Sequence, residues 1–159
     1  VKEYLPAATK TGDDLVARSQ MMVASTMGAT AFQRGLGGMH ALAHPLGALY
    51  DAHHGLLNAI LMPYVLIRNK EAIEDRIARL AAYMGLADPN FYGFLSWVLD
   101  IRNELNIPND LGALNIDDQK AELIGKMAVE DPSSGGNPIQ LTAEEYTELF
   151  LNAVKGDLG

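Results

Sequence analysis

The chain has 159 residues, enough for one domain with a buried core. Twelve Lys and Arg against 20 Asp and Glu give a formal charge of −8; this repels phosphate backbones and, with no basic stripe interleaved with aromatics, argues against nucleic acid as a partner. Cysteine is absent, so no disulfide framework, thiolate zinc site or cysteine nucleophile can form, a composition that suits a reducing cytoplasm.

Val1-Lys2-Glu3-Tyr4-Leu5-Pro6 is not preceded by Met and reads as the end of an element already under way, so a processed chain or a fragment is expected; nothing near Val1 reads as a signal peptide. Asp13 and Asp14 place carboxylates at the start of a long helical segment running to Arg34. Val16, Val23, Met27 and Ala31 share one face of it. Its small residues suggest close packing on another helix, and its methionines are expected to be core. Gly35-Leu36-Gly37-Gly38 ends the segment.

Helices are predicted next over Met39 to Tyr50 and His54 to Arg68, each kinked or restarted at its internal proline, Pro45 or Pro63. The apolar run from Leu56 to Ile67, broken by Asn58 and Pro63, is too short to cross a bilayer. Asn69 opens an amphipathic helix carrying Ile73, Ile77, Leu80, Ala81 and Met84, which Gly85 stops. Phe91 to Asn106 and Asp117 to Val129 give two more. Asp131 to Pro138 is a polar loop, and Thr142 with Glu145 forms a capping-box pattern before a last helix ending near Lys155. No segment alternates as a strand does. The fold class is all-α, a helical bundle in one domain over residues 1–159.

All four histidines, His40, His44, His53 and His54, fall within 15 residues, set among glycine and alanine. On a helix, His40 and His44 point the same way. His54 follows after a turn, and Gly55 permits close backbone approach. Imidazoles suit zinc, iron, nickel or copper, and a catalytic metal commonly takes three protein ligands. From spacing alone the candidates are His40, His44 and His54, with Asp51 or His53 in reserve. No His-Glu-x-x-His motif is present, against the common zinc proteases.

The run Gly38-Met39-His40-Ala41-Leu42-Ala43-His44-Pro45-Leu46-Gly47-Ala48, with Asp51-Ala52-His53-His54-Gly55-Leu56-Leu57-Asn58-Ala59-Ile60-Leu61-Met62-Pro63, closely resembles the second signature of the iron-dependent (group III) alcohol dehydrogenases. The similarity extends through Ile107-Pro108 and the Gly136-Asn137-Pro138 turn. The resemblance implies that His40 and His54 bind the metal, Fe2+ or Zn2+. It implies that His44 lies toward the nicotinamide of NAD or NADP, helping the reaction without ligating. Against the spacing-only pairing of His40 with His44, Pro45 is expected to aim His44 elsewhere. His53 stands where relatives often have proline and receives no role, and Asp51 is expected to be a polar turn residue.

Relatives of that kind carry an N-terminal α/β domain with a glycine-rich dinucleotide turn, and two further ligands spaced Asp-x-x-x-His. This chain has neither, since Gly35-Leu36-Gly37-Gly38 follows a helix rather than a strand. The expectation is therefore a truncated chain, most of the helical C-terminal domain, holding half a metal site and inactive alone. The full-length enzyme would pass hydride between a small alcohol or aldehyde and nicotinamide, with no membrane partner and room for a homo-oligomer. A stand-alone helical metal-binding module and a metal-dependent hydrolase are the alternatives; the latter needs a carboxylate base, and the motif region offers only Asp51.

Overall fold

In the computed structural model, which describes residues 1–159, every regular element is an α-helix or a short 3-10 turn. The chain divides into two compact units, Val1–Gly35 and Leu36–Gly159.

In the first unit, α1 (Leu5–Lys10) packs on α2 (Leu15–Ala31). The Asp14 carboxylate starts α2 by accepting the Ala17 N–H at 2.9 Å, satisfying one of the donors a helix start leaves open. A 3-10 turn, Phe32–Arg34, continues α2 until Gly35 breaks it at φ +103°. The methionine-rich stretch is not core: Met22 and Met27 are 72% and 68% exposed, and Val16 and Val23 are exposed as well. The apolar spacing marks a face that a 35-residue unit is too small to bury among its own residues.

The second unit holds α3 (Gly38–Tyr50), α4 (His54–Arg68), α5 (Lys70–Tyr83), α6 (Phe91–Glu104), α7 (Ala121–Glu130) and α8 (Ala143–Lys155). α3 packs on α4 and α7, α7 on α8, and α4 on α8. Between them lies the main core, built around Leu42, Leu46, Leu57, Ile60, Ile124 and Phe150. Burying a side chain of this kind is worth about 1.5–3 kcal/mol. α5 and α6 form a smaller core of Ala81, Phe94 and Val98, to which α4 adds Met62 and Leu66. Neither Pro45 nor Pro63 restarts its helix; each is buried, and α3 and α4 run through them. Thr142 and Glu145 close the capping box at the start of α8, and Glu145 also pairs with Arg68 of α4.

The polar loop is more ordered than its composition suggests. Asp131 caps a 3-10 turn, Pro132–Gly136, which rests on α3. Gly136 is required there, because a Cβ would overlap the carbonyl oxygen of Leu36. Ser134 Oγ meets Tyr146 Oη at 2.9 Å, fixing the turn to α8.

Candidate metal and cofactor site

The helical hairpin α3–α4 is what gathers the histidines. Gly38 begins α3 by donating its N–H to Asn137 Oδ1 at 3.0 Å, with the glycine Cα so close that a Cβ would sit 3.1 Å from that oxygen. α3 ends at Asp51, which takes the left-handed conformation at φ +52° and returns its N–H to Gly47. Asp51 is thus a turn residue. His53 then caps α4, its Nδ1 accepting the Leu56 N–H at 3.2 Å. Its ring serves the backbone, and His54 becomes the first residue of α4.

This hairpin brings three imidazoles together. Ring centroids lie 5.9 Å apart for His40 and His44, 5.2 Å for His40 and His54, and 5.5 Å for His44 and His54, the last pair nearly parallel at 13°. α3 carries His44 on the same side as His40, as its four-residue spacing dictates, and Pro45 does not turn it away. His53 stays out of the group as a helix cap. His40 sits half-buried on the edge of an apolar cleft of about 310 Å³ that Met39, Met62, Val65, Leu66 and Phe94 help to line, while His44 and His54 are exposed.

The electrostatics favour neutral rings at the deepest position. Burial lowers the His40 pKa first, then repulsion from His54 and His44, partly opposed by the Asp131 carboxylate. At His54, the Asn58 amide nitrogen lies 3.0 Å from Nε2 and 3.1 Å from the backbone oxygen. An amide N–H can only donate, so here Nε2 accepts from Asn58, and a metal at Nε2 would have to displace that amide. Asn58 Oδ1 is buried beside it without a hydrogen-bond partner, an acceptor that a bound polar group would satisfy. A neutral imidazole such as that of His40 fits Fe2+ or Zn2+. No three His, Asp or Glu side chains in the chain are arranged to hold a metal by themselves.

Sequence reasoning missed two residues of the site. His44 Nδ1 lies 2.8 Å from Asp131 Oδ2, a contact across 87 positions. Burial alone would raise the Asp131 carboxyl, but hydrogen bonds from the Ser133 backbone and from His44 outweigh it and hold the pKa below its ordinary value. The second is Asn137, whose amide reaches Gly38, Asn69 and Ile139 at once. Asp-Pro-Ser-Ser is legible as a capped turn, yet nothing local connects that turn with α3.

The second unit is thus all-helical, presents three converging imidazoles and sets a half-buried carboxylate on one of the rings. Residues 1–154 match the Fe-containing alcohol dehydrogenase family, C-terminal, and the chain belongs to that family. It is 36% identical over 156 residues to 4-hydroxybutyrate dehydrogenase of Cupriavidus necator, covering 92% of this chain and 40% of that protein. With the NAD-dependent methanol dehydrogenase of Bacillus methanolicus it shares 30% over 164 residues, 97% of this chain and 42% of the other. Among solved structures, a 1,3-propanediol oxidoreductase superposes with a TM-score of 0.91 at 30% identity, covering 96% of this chain and 42% of that one. The alcohol dehydrogenase from Oenococcus oeni gives 0.87 at 30% identity, with 96% and 42% covered. The chain thus spans about two fifths of the length of the relatives it matches. The all-α fold and its likeness to the C-terminal helical part of these enzymes agree with the sequence-based expectation.

Proposed function

We propose that this chain is the metal- and nicotinamide-facing part of an NAD(P)-linked alcohol dehydrogenase acting on a small alcohol or aldehyde. The observation that carries the reading is the convergence of His40, His44 and His54 on one face of the α3–α4 hairpin. His40 and His54 hold the metal, Fe2+ or Zn2+, through neutral imidazole nitrogens, and residues outside this chain complete the donor set. When bound, the metal polarises the substrate oxygen and the nicotinamide, NAD or NADP, carries the hydride. His44 handles the proton at that oxygen: it accepts one on alcohol oxidation and returns it on aldehyde reduction. The substrate class rests on relatives named for 4-hydroxybutyrate, methanol, butanol, 1,3-propanediol and lactaldehyde.

The alternatives fit less well. A stand-alone metal module would have to complete its donor set from this chain, which offers no such set. A hydrolase needs a carboxylate base; Asp51 is a helix cap, and both oxygens of Asp131 are committed, one to Ser133 N–H and one to His44.

The experiment is a nicotinamide absorbance assay of the full-length enzyme, loaded with Fe2+ or Zn2+, against a panel of small alcohols, diols and hydroxyacids. Metal-dependent turnover of at least one is expected. Activity that persists undiminished after chelation would defeat the reading.

A further inference from the structure

We propose that Asp131 is the positioning residue of His44: its carboxylate fixes that imidazole as the Nδ1–H tautomer and leaves the lone pair on Nε2. Only the catalytic use of that lone pair rests on the function proposed above; the positioning rests on the geometry.

An ionised carboxylate only accepts hydrogen bonds, so the 2.8 Å contact places the proton on His44 Nδ1. Asp131 cannot easily turn away. Its Oδ1 accepts the Ser133 N–H at 2.8 Å, and its side chain is 13% exposed against 41% for His44. The turn that Asp131 caps is tied to α8 through Ser134 and Tyr146 and rests on α3. Of its two oxygens, one holds the turn and the other holds the ring. The same arrangement sets the protonation of the His44 ring and the direction in which Nε2 looks, so His44 presents its acceptor at a defined nitrogen.

The replacement Asp131→Asn isolates this. The asparagine side chain has a single oxygen, and the Ser133 backbone N–H, an obligate donor at a half-buried turn, claims it. The amide NH2 then faces His44 and donates to Nδ1, forcing the proton onto Nε2. Size and shape barely change, but the acceptor nitrogen moves to the other side of the ring.

The test is long-range 1H–15N NMR of the histidine side chains in the 159-residue chain at about pH 9, well above the ordinary imidazole range. The His44 ring is assigned by its loss in His44→Gln. The wild-type ring is expected to carry its proton on Nδ1, and Asp131→Asn to exchange the protonated and unprotonated nitrogens. A wild-type His44 protonated on Nε2 overturns the proposal, and that single spectrum decides it even if the variant fails to fold. A His44 ring that keeps its proton on Nδ1 in Asp131→Asn overturns it as well. In the full-length enzyme Asp131→Asn is expected to lower kcat about 10–100-fold with metal content unchanged. A switched tautomer with full kcat would leave the positioning intact and remove His44 from the reaction.

Discussion

Asn137 and Asn69 hold each other in the interior by a reciprocal amide pair, with hydrogen bonds of 2.8 and 2.9 Å. Asn69 closes α4, while Asn137 also accepts from Gly38 N–H at the start of α3 and donates to the Ile139 carbonyl at 2.7 Å. One buried side chain therefore ties the helix bearing His40 to the helix bearing His54 and to the loop that supplies Asp131. Truncation in Asn137→Ala strands the Gly38 N–H, the Ile139 carbonyl and the Asn69 amide. A loss of about 3 kcal/mol is expected in urea unfolding; a loss below about 1 kcal/mol would show that the network is dispensable.

Adjacent glycines in the same turn are expected to behave differently. Gly135 has open space where a Cβ would go, so Gly135→Ala should lie within about 0.5 kcal/mol of wild type. In Gly136→Ala the new methyl meets the Leu36 backbone, which cannot swing aside as a side chain would, and about 2 kcal/mol or more should be lost. Equal thermal midpoints for the two variants would contradict the close approach of the turn to Leu36.

Acid should weaken the Asp131 contact. Its pKa in the folded protein lies below the ordinary carboxylate value, so its contribution to stability is fully present above about pH 4 and is lost as pH falls through the lower folded value. The difference in unfolding free energy between wild type and Asp131→Asn should shrink from about pH 5 to about pH 2. A constant difference over that range would mean that the carboxylate charge plays no part.

The 159-residue chain by itself should bind Fe2+ or Zn2+ weakly and oxidise no alcohol, because its own side chains do not complete a metal site. Calorimetric titration and a nicotinamide assay check this directly. Turnover by the isolated chain would show that the histidines suffice without further ligands.

The helices themselves were legible because their signals are local. Thr142 and Glu145 form the predicted capping box, and α4 starts at His54 and ends at Arg68 as read from the pattern. His40 and His44 meet because four residues make one turn of α3. What stayed hidden is tertiary. Asp131 and Asn137 look like loop residues until the chain returns them to α3, 87 and 99 positions from His44 and Gly38. Met22 and Met27 misled in the opposite sense: methionines in a helix read as core, yet both are exposed, because apolar composition alone does not place a residue in the core.

The division of labour among the histidines is the centre of the account, and metal content measured beside activity in two variants of the full-length enzyme tests it most directly. His54→Ala should lose metal and activity together, whereas His44→Ala should keep its metal while turnover falls. Metal retained in His54→Ala, or lost in His44→Ala, would contradict the assignment and return His44 to the metal as a partner of His40.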